Sequence, residues 1–128
     1  MRRTDLDASG GIGTLVSEGP GFAVRMAIDG TFAYWTDYLD GKVLRAPLAG
    51  GDAIVVADDQ GDLVGVAVDD KYVYWADTDA DAIFRAPIDG GAAQAFATQQ
   101  TDPTGIAVDG ACVYWLTRNP GTVVKRAR

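Results

Sequence analysis

Tyr34-Trp35 returns as Tyr74-Trp75 and again as Tyr114-Trp115, at an offset of 40 residues each time. A fixed period of this length constrains the fold more than any local propensity, because every unit must be the same supersecondary piece stacked on its neighbours. Other landmarks keep the register. Arg25-Met26-Ala27-Ile28-Asp29 aligns with Gly65-Val66-Ala67-Val68-Asp69 and with Gly105-Ile106-Ala107-Val108-Asp109. Arg45-Ala46-Pro47-Leu48 aligns with Arg85-Ala86-Pro87-Ile88, with Lys125-Arg126 at the third equivalent point. Gly10-Gly11, Gly50-Gly51 and Gly90-Gly91 complete the pattern, and all 3 tryptophans of the chain lie in the repeated pair.

The middle unit reads as four short strands. Val66 to Asp69 is a brief apolar run preceded by glycine. Tyr72 to Asp77 sets Tyr72, Tyr74 and Ala76 on one face and Val73, Trp75 and Asp77 on the other, so both faces need cover. Ala82 to Ala86 is rich in strand formers and stops at Pro87, which has no N–H for a ladder. Ala92 to Ala97 follows the Gly90-Gly91 hairpin signal. Asp69-Asp70-Lys71 and Asp77-Thr78-Asp79-Ala80-Asp81 are polar turns. No segment has sustained helical periodicity. The expectation is an all-β chain of four-stranded antiparallel blades, with units at about 26–57, 66–97 and 105–126, which is the sequence form of a β-propeller. Rungs shorter than these would be needed for a parallel β-helix, and helices for an ankyrin-type array.

Composition narrows the chemistry. With 16 glycines and 5 prolines the chain has material for many tight turns, and its 48% hydrophobic share supplies a core. Eighteen acidic residues against 11 basic ones leave a net charge of -7, which repels phosphate backbones and anionic lipid. We expect no nucleic-acid or membrane partner. Histidine is absent, so Ser-His-Asp and Cys-His mechanisms and imidazole zinc sites are excluded. Cys112 is the lone cysteine, allows no intrachain disulfide, and reads as a small buried hydrophobe. The chain as given has neither a signal peptide nor a membrane-length apolar run and reads as soluble.

Tyr34-Trp35-Thr36-Asp37, with Ile28-Asp29 before it and Val43-Leu44-Arg45 after it, resembles the YWTD repeats of low-density lipoprotein receptor class B modules. The second copy departs from the motif at Ala76, and the third at Leu116 and Thr117. The resemblance implies a six-bladed propeller. Within it, Tyr34, Trp35, Tyr74, Trp75, Tyr114 and Trp115 fill space between blades, and Asp37 and Asp77 bond backbone of a neighbouring strand. The third unit should lack that polar tie.

Three units make half of such a ring, and an isolated half would leave two apolar faces open. Ile12 to Ser17 reads as a fourth-type strand without three strands before it, while Thr122 to Arg126 is a third-type strand without a fourth. The expectation is a homodimer in which residues 12–17 of each copy complete the partner's third blade. The competing reading is a piece of a longer propeller.

Function on such a ring is expected at one channel mouth, on the loops joining fourth to first and second to third strands. Phe22, Tyr38, Asp58, Asp59, Asp79, Gln99, Asp102 and Arg118 are the candidate binding residues there. Asp77-Thr78-Asp79-Ala80-Asp81 opens like a calcium loop, but Ala82 stands where that loop needs glycine and Ile88 where it needs glutamate. No cofactor is expected. Asp29, Asp69 and Asp109 recur in every unit and read as turn-forming. Arg45 and Arg85 read as stems packed along the blade with solvated heads. The reading is a non-enzymatic scaffold for a protein, peptide or glycan. The alternatives are a propeller-type hydrolase, lactonase or lyase using aspartates, with or without a divalent metal, and a structural part of a larger surface protein. Glu18 is the sole glutamate, which fits the enzymatic alternative poorly.

Overall fold

The computed structural model describes residues 23–118 and 120–128. Among these, β1 (Ala23–Ile28), β2 (Phe32–Asp37), β3 (Lys42–Pro47) and β4 (Ile54–Ala57) form one antiparallel meander. The unit repeats as β5 (Leu63–Val68), β6 (Tyr72–Asp77), β7 (Ala82–Pro87) and β8 (Gln94–Ala97). The third, β9 (Pro103–Val108), β10 (Cys112–Thr117) and β11 (Thr122–Ala127), shows three strands. These sheets are blades 1, 2 and 3 below. Residues 12–17, assigned above to an outer strand, lie outside the described residues.

Blades stack through their inner strands, β1 against β5 and β5 against β9. The core consequently lies between sheets. One cluster joins Tyr34, Val43, Val56 and Ala57 of blade 1 to Leu63, Val66, Val73 and Trp75 of blade 2. A second joins Tyr74, Ala76, Ile83 and Phe96 of blade 2 to Val113 and Trp115 of blade 3. Cross-strand register puts Val66, Trp75 and Phe84 on one face of blade 2, and Ala67, Tyr74 and Arg85 on the other. Trp75 stacks on Phe84 at 6.3 Å, and Phe96 meets Tyr74 at 5.5 Å and Trp115 at 6.4 Å. Tyr74 and Trp75, adjacent in sequence, are both fully buried because each faces a different blade.

Three details correct the sequence reading. The inner strands begin three residues earlier than the apolar run suggested, at Leu63 rather than Val66, because a bulge between Leu63 and Gly65 carries the pairing past the glycine. The arginine heads are not simply solvated: Arg45 lies 4.2 Å over Phe32 and its Nη1 donates to the carbonyl of Ile88 in blade 2, while Arg85 lies 4.1 Å over Tyr72. Cys112 is half-exposed rather than buried.

Backbone proximity explains one glycine. A Cβ on Gly65 would stand 2.5 Å from the Thr104 carbonyl, whereas one on Gly105 would meet only the Leu116 Cδ1 at 3.5 Å. Gly65→Ala should therefore cost about 1–3 kcal/mol through overpacking, and Gly105→Ala, whose methyl meets no neighbouring blade within the chain, less than about 0.5 kcal/mol when the chain is held monomeric. Denaturant melts of the two variants compare them directly. Thr36 is fully buried and its Oγ1 has no hydrogen-bond partner among the described residues, while Ala76 holds the equivalent place. Thr36→Val keeps the shape, removes the orphaned hydroxyl and should raise stability by about 1 kcal/mol in the same melts.

Candidate binding face at one end of the blades

Turns 37–41, 77–81 and 117–121 lie at the same end as connections 58–62 and 98–102. Backbone bonds fuse them. Gln60 N donates to Gly41 O at 2.9 Å, and Thr78 N to Asp62 O at 2.9 Å. Gln100 N donates to Asp81 O at 2.8 Å, and Arg118 N to Asp102 O at 3.1 Å. Each connection is thereby held against the turn before it, the turn after it, or both.

Aspartates at the ends of β2 and β6 shape this surface. Asp37 Oδ1 accepts the amides of Leu39 and Asp40 at 3.0 and 3.2 Å. Asp77 Oδ1 accepts those of Asp79 and Ala80, both at 3.0 Å. A short carboxylate accepting amides two and three residues on is the local chemistry of such turns. Asp77 Oδ2 also accepts Gly61 N at 2.9 Å, so the tie runs to the incoming connection rather than to a neighbouring strand. Both oxygens of Asp77 are thus engaged by amides. A Cβ on Gly61 would stand 2.6 Å from Asp77 Oδ1, so the latch requires glycine there. In blade 3 the aspartate is Thr117 and the facing residue is Thr101, and Thr117 Oγ1 bonds locally with the Pro120 carbonyl and the Thr122 hydroxyl. The expected loss of the polar tie in unit three is what the geometry shows.

Indoles provide another tie. Trp75 Nε1 donates to Gln60 Oε1 at 3.2 Å, and Trp115 Nε1 to Gln100 Oε1 at 3.0 Å. The sequence reading passed over these glutamines, although their 40-residue offset was visible.

Phe22 lies outside the described residues. Tyr38, Asp58, Asp59, Asp79, Gln99 and Arg118 are all exposed on this face. Asp102 is half-exposed, and its carboxylate lies 3.5 Å from Arg118 Nε, so these two are brought together as an ion pair. Asp59 and Gln99 have φ of 56° and 58°, which places them at equivalent left-handed bends of their connections. Asp58 Oδ1 accepts the Asp59 amide at 2.7 Å. The face also carries Leu39, Asp40, Asp62 and Asp81, which the sequence reading had not selected. Leu39 is 70% exposed beside Tyr38 at 41%, the largest apolar projection on this face among the described residues. Asp40, Asp59, Asp62 and Asp79 make no side-chain hydrogen bond or ion pair with the described residues.

At the opposite end, the recurring Asp29, Asp69 and Asp109 each accept two turn amides on Oδ1 and a tyrosine hydroxyl on Oδ2. The hydroxyl distances are 2.9 Å to Tyr34, 2.7 Å to Tyr74 and 2.8 Å to Tyr114. Burial alone would raise the Asp69 carboxyl, but the amides of Lys71 and Tyr72, the Tyr74 hydroxyl and Arg128 offset it and leave it below its ordinary value. Asp29 is lowered in the same manner, and Asp109 is lowered chiefly by the Ala111 and Cys112 amides. Burial, then the aspartate, pushes Tyr34 and Tyr74 up to about 12.

No protein-family profile matches the chain, and no curated protein matches it. Solved structures do. Nidogen in a nidogen/laminin complex superposes with a TM-score of 0.76 at 28% identity, over 82% of this chain and 44% of that one. A PQQ-bound aldose sugar dehydrogenase from Streptomyces coelicolor gives 0.69 at 16% identity, over 87% and 44%. A computationally designed protein, Ika4, gives 0.52 at 12% identity over 91% of this chain and 99% of that one, so the two chains are of similar length. The chain spans less than half of the first two. The fold is that of consecutive β-propeller blades.

The tyrosine–aspartate pairs set an alkaline limit. Because the folded tyrosines titrate near 12 rather than 10, their contribution to stability is fully present below pH 10 and is lost as pH rises through about 12. Thermal melts should fall across that window. Tyr74→Phe should lower stability by about 1 kcal/mol at neutral pH and make the alkaline fall shallower.

Proposed function

We propose that the chain is a non-enzymatic binding scaffold: half of a six-bladed YWTD-type propeller, completed by a homodimeric partner, whose loop face receives a basic protein or peptide segment. The observation carrying this reading is the contrast between two sets of carboxylates. Asp29, Asp69, Asp109, Asp37 and Asp77 recur and are consumed in turn and blade geometry. Asp40, Asp59 and Asp79 do not follow the repeat, stand exposed at the same end of the blades as Tyr38 and Leu39, and their carboxylates bond to none of the described residues. An exposed aromatic and leucine sharing one end of the blades with exposed carboxylates suits a segment carrying lysine or arginine beside an apolar residue. The nidogen structure, a propeller crystallised with laminin, supports a binding role for this architecture, and the YWTD pattern supports the six-blade count.

The test uses an array of short synthetic peptides graded in net charge and apolar content. Basic peptides with an apolar residue should bind, weaken as salt rises, and lose affinity with Leu39→Ser or Asp59→Asn. Those substitutions are on exposed turns and should leave melting unchanged. Equal binding of acidic peptides, or binding unaffected by both substitutions, would overturn the reading.

A further inference from the structure

We infer that the faces of blade 1 and blade 3 that the described residues leave uncovered are each docked by the other face of a second copy of this chain, with Lys125 of one copy directed at the Leu48 carbonyl of its partner. The inference rests on the homodimer reading above and specifies its seam. Within the chain, the junction of blades 1 and 2 supplies the pattern. Ala27, Tyr34 and Val43 on one side close over Val66, Trp75 and Phe84 on the other. Arg45 Nη1 bridges the junction to the Ile88 carbonyl.

The free faces hold the same positions one repeat away. On blade 3, Ala107, Tyr114 and Val123 stand where Ala27, Tyr34 and Val43 stand on blade 1, and Lys125 takes the place of Arg45. On blade 1, Met26 and Trp35 stand where Val66 and Trp75 stand on blade 2, and Leu48 takes the place of Ile88.

Exposure follows position in the row of blades rather than residue type. Met26 is 64% exposed where Val66 is 7%, and Val123 is 73% exposed where Val43 and Ile83 are 0%. Leu116 is 46% exposed where Thr36 and Ala76 are 0%. Trp35 and Tyr114 are only half-buried, although Trp75 and Tyr74 are fully covered. Open apolar faces of this kind mark an interface.

Continuity with the interior junctions selects the occupant. A face of the blade 1 type is met inside the chain by a face of the blade 3 type, and one chain owns one of each. Two copies related by a two-fold axis use both faces once, giving two identical seams with none left over. A channel mouth built from one copy is incomplete, so the binding face is finished by the partner.

Sedimentation of the 128-residue chain should give twice the mass of 13.5 kDa. A stable monomer overturns both this inference and the homodimer reading. Met26→Glu and Val123→Glu, each at an exposed position, should weaken dimerisation about 10-fold or more while retaining the strand circular-dichroism signal. A dimer of undiminished affinity in both variants overturns the seam and leaves the homodimer reading standing. Hydroxyl-radical labelling of the unsubstituted chain gives a second readout that no folding defect can confuse. Met26 and Tyr114 should become protected as concentration rises through the dimer range. Equal labelling of both residues in monomer and dimer overturns the seam.

Discussion

Every blade is a thin sheet with large apolar side chains on both faces, and the structure depends on having another blade on each side. Tyr74 and Trp75 make the constraint concrete. They are neighbours in the chain, point in opposite directions, and are both fully buried because different blades cover them. Burying a side chain of that size stabilises by about 1.5–3 kcal/mol. A single blade would forfeit that on both faces, which is why units of this type occur in rows. Stability here is a property of junctions, and the sheets supply the hydrogen-bonded frame that aligns them.

The polar ties serve the same end. An aspartate at the exit of β2 or β6 closes its own turn, and in blade 2 it also grips the chain arriving from blade 1. The grip leaves no room for a side chain at Gly61. The sequence carries the same logic across units: aspartate pairs with glycine at positions 77 and 61, and threonine with threonine at 117 and 101. Losing the latch in blade 3 released the glycine requirement along with it. At the other end, the Asp–Tyr pairs pin the turn to the second strand within each blade, so they recur even in blade 3, where the latch does not.

Much of this was legible in the chain because a 40-residue offset survives substitution better than any one motif residue. Blade order, strand pairing and the structural fate of the recurring aspartates all follow from it. What was not legible depended on approach between segments distant in sequence. No local pattern says that Gly65 lies against Thr104, that Arg45 crosses to a carbonyl of the next blade, or that Gln60 receives an indole proton. The candidate site was half legible. Loop positions were found by counting from the repeat, but Leu39 and Asp40 were missed because nothing in their spacing marks them, and Asp62 was missed although it stands 40 residues before Asp102.

A repeat also indicates where specificity has to come from. Side chains that recur are committed to the junctions, and changing one of them to suit a ligand would loosen the row of blades. Ligand selectivity can vary freely only at positions the period does not hold, and those lie on the turns and connections of one end. In blade 1 that turn carries Tyr38 and Leu39, in blade 2 Thr78 and Asp79, and in blade 3 it begins with Arg118. The frame is therefore repetitive and the face it presents is not. In the proposed two-fold ring each of these turns would appear twice, on opposite sides of the channel. Such an arrangement favours a partner offering two basic segments over one offering a single segment, since the second contact is made at high effective concentration.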